Sequence, residues 1–172
     1  MKTMIGDLLA FNSFAVDAVP VKIETVQIND VISDIVRRWG ATHSQTDLYI
    51  SYLEEDTNLQ TDVIRVQQIL TNLLTNAEQA MDGNGTIHVT LQKNEHSIIV
   101  DVQDSGCGIP LAEQPFIFER FYRGEQKKYK IRGLGLGLPL SKMMAQSIGG
   151  ELTLLKSTSR GTTFRLKLMK TF

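Results

Sequence analysis

The 172-residue sequence holds a single cysteine, Cys107, so no internal disulfide can staple the chain. A reducing compartment suits such a sequence, and a free cysteine is most often a small, incidental core residue. Charge of one sign is also missing. Eighteen Lys and Arg stand against nineteen Asp and Glu, a net charge of -1, which excludes a global basic field for nucleic acid or an anionic membrane. Any anion binding must therefore be local. No apolar run reaches the ~18 residues needed to cross a bilayer. Residues 1–19 place Lys2 ahead of apolar side chains, but Asp7, Asn12 and Asp17 interrupt them, which argues against a signal peptide. The glycine-rich stretch also lacks the Gly-Lys-Ser/Thr ending of a P-loop.

With 42% apolar and 22% charged residues, the chain can bury one ordinary core, and one domain with a short appendage is expected. The appendage is residues 1–19. There Met4, Leu8, Phe11 and Ala15, flanked by Ile5 and Leu9, form an apolar seam at helical spacing, which either a partner chain or an upstream segment must cover. From residue 20 onward the patterns change. Val21 to Gln27 alternates as a strand, Asn29 can cap a helix bearing Val31, Ile32, Ile35, Val36 and Trp39, and Leu48, Ile50 and Tyr52 alternate again. A long helix is predicted from about Asp62 to Met81, stopped by Asp82-Gly83-Asn84-Gly85. Ile87, Val89 and Leu91 then pair with Ile98, Val100 and Val102 across Asn94-Glu95-His96. Pro139 to Ile148 reads as a helix closed by Gly149-Gly150, with closing strands at Leu152 to Leu155 and Phe164 to Leu168. The expected fold class is α+β, a two-layer sandwich with a mixed, mostly antiparallel sheet and helices on one face.

At about 100° per residue, Arg65, Gln68, Asn72, Asn76 and Gln79 share one stripe of the long helix. Two asparagines in mid-helix need a reason, since Asn favours caps and turns. A nearly uncharged carboxamide stripe suits a Mg²⁺ ion that already carries triphosphate oxygens. Interhelix hydrogen bonding by two ordinary asparagines is the competing explanation. At the tip of a strand, Asp104 shares a face with Ile98, Val100 and Val102. Its carboxylate either accepts from an adenine amine, with Gly106 and Gly108 letting the flat base approach, or closes an Asx turn. In Gly133-Leu134-Gly135-Leu136-Gly137-Leu138-Pro139, alternating glycines expose backbone N–H groups before a helix N-terminus, and Pro139 fits that helix's first position. This is a phosphate-binding arrangement. Arg120, Arg123, Lys127, Lys128, Lys130 and Arg132 lie upstream, and Arg123, anchored by Tyr122 and its aromatic neighbours, is the strongest phosphate candidate among them.

The stretches RVQQILTNLLTNAEQAM, DSGCGIP, FIFERFYRG, RGLGLGLPLSKMMAQSIGG and GTTF resemble, in order and spacing, the five boxes of the catalytic ATP-binding domain of sensor histidine kinases, over roughly residues 24–170. The resemblance implies the Bergerat fold, shared with DNA gyrase, Hsp90 and MutL. It implies ATP and Mg²⁺ as cofactors, Asn76 as metal ligand with Asn72 beside it, and Asp104 on the adenine amine. It further implies that Gln79, Ala80, Gly106, Gly108, Ile109 and Tyr122 line the pocket, that Arg123 meets the terminal phosphates, and that the backbone of Gly133, Leu134, Gly135, Leu136, Gly137 and Leu138 holds the phosphate chain. Thr163 is expected to support the Asp104 end through a hydroxyl or water. Two departures stand out: Gln79 and Ala80 replace the Lys and aromatic residue common in the family, as in its nitrogen-sensor branch, and Leu134 replaces a small residue.

None of His43, His88 and His96 carries the acidic neighbour and helical pattern of the family's phosphoacceptor box. MKTMIGDLLAFNSF resembles instead the tail of the second helix of the dimerisation domain, so residues 1–19 are expected to be its remnant and residues 20–172 the catalytic domain. The implied activity is presentation of the γ-phosphate to a histidine on that missing domain, in a cytoplasmic part of a homodimeric kinase serving a response regulator. No catalytic base is assigned within this chain, and the isolated chain is not expected to be competent alone. Nucleic acid and direct membrane contact are not expected. Two other readings remain: an autonomous anti-sigma serine kinase of the same fold, and a dinucleotide module built on the glycine run.

Overall fold

The computed structural model describes residues 20–55, 57–124 and 135–170. The proposed dimerisation-helix remnant therefore lies outside the described residues. Among those described, the order is β1 (Glu24–Gln27), α1 (Ile28–Gly40), β2 (Thr46–Ser51), β3 (Asn58–Thr61), α2 (Val63–Ala80), β4 (Gly85–Lys93), β5 (Ser97–Asp104), a 3₁₀ turn (Gln114–Phe116), α3 (Gly137–Ser147), β6 (Glu151–Thr158) and β7 (Gly161–Met169).

Five strands form the main sheet in the order β2-β4-β5-β7-β6, while β1 and β3 pair separately. Only the β2–β4 pairing in the main sheet is parallel, so the sheet is mixed and mostly antiparallel, as expected. Period-two alternation sends Ile87, Val89, Leu91, Ile98, Val100, Val102, Leu152, Phe164, Leu166 and Leu168 into the core. Against them lie the apolar stripes of α1 (Ile32, Ile35, Val36, Trp39), α2 (Val66, Ile69, Leu70, Leu73, Leu74, Ala77) and α3 (Met144, Ala145). The opposite face is polar. There Arg165 donates two hydrogen bonds to Asp101, at 2.8 and 2.7 Å, directly across β5 and β7.

Helix α2 starts where expected, because the Asp62 side chain accepts from Arg65 N at 3.1 Å and so satisfies a first-turn donor. Other boundaries differ from expectation. The first strand begins at Glu24, and Tyr52 falls just beyond β2. Gln27, not Asn29, occupies the cap position of α1, and Asn29 clasps the Leu53 backbone through both ends of its amide, at 3.1 Å each. Helix α3 begins two residues ahead of Pro139, which still sits within the first turn, where a missing N–H costs no helical bond.

Candidate functional site

Helix α2 is the spine of the site, and its polar stripe divides in two. Arg65, 4% exposed, is buried, pairs with Asp62 at 3.6 Å and donates to Ser147 Oγ on α3. Asn72 Nδ2 donates to Ser141 Oγ, also on α3, at 2.9 Å. This half of the stripe therefore faces a neighbouring helix, and Asn72 makes the interhelix hydrogen bond that was the competing explanation for it. Asn76, Gln79 and Ala80, nearer the C-terminal end, are half-buried.

Asp104 ends β5 on the helix-covered face and is 5% exposed. Its Oδ1 accepts from Gly106 N at 2.8 Å, closing an Asx turn, and from Thr162 N at 3.2 Å. The turn is tied to α2, because Cys107 N donates to the Ala80 carbonyl at 3.3 Å. It is tied to β6 as well, because Ile109 N donates to Ser157 Oγ at 2.8 Å, and that hydroxyl shares a 2.8 Å bond with Thr162 Oγ1.

Two expectations need correcting here. Thr163 pairs with Gln103 on the polar face of the sheet and lines a shallow depression with Gln103 and Lys156, so it cannot reach Asp104. Thr162 supports the acid instead. The protein's own backbone already requires the two glycines. A side chain at Gly106 would come within 2.7 Å of the Ala80 carbonyl oxygen, and one at Gly108 would overlap that of Thr158. Cys107, expected in the core, is exposed.

The third element begins at Gly135, whose carbonyl accepts from Phe121 N at 3.1 Å. Leu136 is buried and its carbonyl opens α3 by accepting from Leu140 N at 3.0 Å, while Leu138 is half-buried. Gly137 lies directly on Asn72, since a Cβ there would overlap Asn72 Oδ1. Tyr122 is half-buried, with its ring 5.7 Å from that of Phe116, and Arg123 beside it is also half-buried. Gly133, Leu134, Lys127, Lys128, Lys130 and Arg132 lie outside the described residues.

The three histidines have local roles. His43 stacks on Trp39 at 3.9 Å, His88 stacks on Tyr49 at 5.0 Å, and His96 is exposed in the β4–β5 turn. Among the described residues, no three His, Cys, Asp or Glu side chains gather as a metal-binding group. None of their helices is long and apolar enough to cross a membrane. The sequence motifs nonetheless converge: the Asp104 turn sits against the end of α2, and the N-terminus of α3 sits against Asn72, on the same side of the sheet.

The family model for histidine kinase-, DNA gyrase B-, and HSP90-like ATPases matches residues 61–171. The chain is 30% identical over 172 residues to sensor histidine kinase WalK of Bacillus subtilis, covering 98% of this chain and 28% of WalK. It thus spans less than a third of that relative's length. Among solved structures, the catalytic domain of histidine kinase ThkA matches with a TM-score of 0.76 and 25% identity, over 88% of this chain and 99% of that one. Full-length ShkA in complex with AMPPNP superposes with a TM-score of 0.81 at 20% identity, over 98% of this chain and 35% of that one, a likeness of fold. An anti-sigma kinase is not favoured by these relatives. A dinucleotide module is excluded by the antiparallel pairing of β4, β5, β7 and β6. The chain belongs to the histidine kinase-, DNA gyrase B-, and HSP90-like ATPase family, and within it its likeness is to the sensor histidine kinases.

Proposed function

We propose that this domain binds Mg·ATP and presents the γ-phosphate to a histidine carried on a dimerisation segment, as the catalytic part of a two-component kinase. The observation that carries the reading is the meeting of a buried acceptor, Asp104, and a glycine-bearing helix N-terminus at Gly137 on one helix, α2. Asp104 takes the adenine amine. Gly106, Gly108, Ile109, Gln79, Ala80 and Tyr122 shape the pocket, and the backbone of Gly133 to Leu138 with the partial positive charge of α3 holds the phosphates. Arg123 meets the terminal phosphates.

Asn76, half-buried on α2, offers an amide oxygen to a Mg²⁺ site of this kind. A neutral amide oxygen complements an ion whose charge is largely met by phosphate. When bound, the ion would neutralise charge on the phosphate chain. The residues of this chain then act by orientation and by excluding water, since phosphoryl transfer depends chiefly on positioning and charge stabilisation. The acceptor histidine, a cytoplasmic setting, a homodimeric assembly and a response regulator complete the proposal. Calorimetric titration with Mg·ATP, followed by transfer of labelled γ-phosphate to an added dimerisation segment, tests it. Absence of ATP binding by the 172-residue chain would refute it.

A further inference from the structure

We propose that Ser141 is a positioning residue that, through Asn72, seats the phosphate-facing turn at Gly135–Leu138 on helix α2. The inference rests on the nucleotide reading above. Ser141 is fully buried inside α3, where alanine would fit the same space and favour the helix more. A buried hydroxyl needs a partner, and its partner lies 69 positions away: Asn72 Nδ2, at 2.9 Å.

That bond orients the rest of the Asn72 amide. With Nδ2 on Ser141, Oδ1 lies against Gly137 so closely that no Cβ fits there. One side chain of α2 therefore touches both the first residue of α3 and a residue one turn further in, which fixes how far the helix N-terminus stands from the spine. Gly137 is not among the positive-φ glycines, so the third glycine of the run answers to Asn72 rather than to a backbone conformation. A second polar tie, Arg65 to Ser147, secures the far end of the same helix, and Ser147 Oγ donates to the Met144 carbonyl at 2.7 Å. The two contacts together set the tilt of α3 against α2.

The seam touches the phosphate end of the pocket and leaves the Asp104 end to other contacts. Removing the Ser141 hydroxyl should therefore weaken binding of the phosphate chain while sparing the base. Ser141→Ala in the 172-residue chain should bind Mg·ATP about three- to tenfold more weakly, the worth of one buried hydrogen bond. Affinity for adenosine should stay within a factor of about two. Asn72→Ala with Ser141→Ala should be no worse than Asn72→Ala alone, because both remove the same contact. Ser141→Cys, close in shape but a weaker hydrogen-bonding partner, repeats the measurement if the alanine variant folds poorly, with thermal unfolding recorded for each.

Titration calorimetry of the variants with Mg·ATP and with adenosine decides the matter, with Asp104→Asn alongside. A selective loss of ATP affinity supports the proposal. A lowered melting temperature with an unchanged ATP-to-adenosine ratio makes Ser141 a merely structural residue and overturns it. If Asp104→Asn loses both ligands while Ser141→Ala and Ser141→Cys lose neither, the nucleotide site stands and the positioning role falls. If wild type binds neither ligand, both fall.

Discussion

Asp104→Asn separates the structural and recognition roles of one carboxylate. Oδ1 of Asp104 already serves Gly106 N at 2.8 Å and Thr162 N at 3.2 Å in a nearly sealed environment. Asp104→Ala would orphan both donors at about 1–3 kcal/mol each, a large share of a marginal stability of roughly 5–15 kcal/mol. Lost binding in that variant would say little about adenine. Asp104→Asn keeps a carbonyl oxygen for the two N–H groups, so its folding cost should be only about 1–2 kcal/mol, the difference between charged and neutral acceptors. Its second terminal atom, however, becomes a donor. An adenine amine brought to it meets a donor rather than an acceptor, and loses a charge-assisted bond of about 1.5–3 kcal/mol, or about ten- to hundredfold in affinity. Calorimetry with ADP and with IDP reads this directly. The 6-oxo group of hypoxanthine can accept from the new amide, so the preference for ADP over IDP should shrink or reverse. An Asp104→Asn protein that melts like wild type and binds ADP equally well would refute adenine recognition by Asp104.

Other substitutions test the scaffold. Leu74→Ala, at a fully buried position of α2, should cost about 2–5 kcal/mol and lower the urea midpoint accordingly. Gly108→Ala combines a φ of +77° with overlap of the Thr158 carbonyl, and should destabilise by more than about 2 kcal/mol in the same assay. A double-mutant cycle on Asp101 and Arg165, using Asp101→Asn and Arg165→Met, should give a coupling of about 0.5–1 kcal/mol, because the pair is bidentate but Arg165 stays partly exposed to solvent. The hydrogen bond to Asp101 raises the Arg165 pKa above its ordinary value. The guanidinium's share of stability is then fully present below the unfolded value and lost only as pH rises through the folded one. Moving from neutral to mildly alkaline pH should leave the coupling unchanged in repeated urea titrations.

Where the sequence pattern was strong, the fold was legible. Helix α2 was readable from its apolar stripe and from Asp62, and the β4–β5 hairpin from two alternating runs around Asn94-Glu95-His96. Strand β3 was not, because Asn58–Thr61 is short and polar and buries only Leu59 and Thr61. Asn29 looked like a cap because local preference favours it there, but its tertiary bond to Leu53 prevails. The partition of the α2 stripe depended on which helix lies beside it, and nothing local in Arg65 or Asn72 announces Ser147 or Ser141. Thr162 was within reach of the pattern: Phe164, Leu166 and Leu168 point inward, and counting back by two arrives at Thr162 and passes over Thr163. Ser157, which joins Ile109 to Thr162, carried no recognisable signal.

The bond from Phe121 N to the Gly135 carbonyl closes a neck in the chain. Whatever lies between those residues departs and returns at one place, so its two roots are held together independently of its own course. Lengthening such an excursion is thermodynamically inexpensive, about 0.6 kcal/mol for each doubling. The helix beyond Gly135 can therefore keep its register on the sheet whatever the length of chain between the two bonded residues.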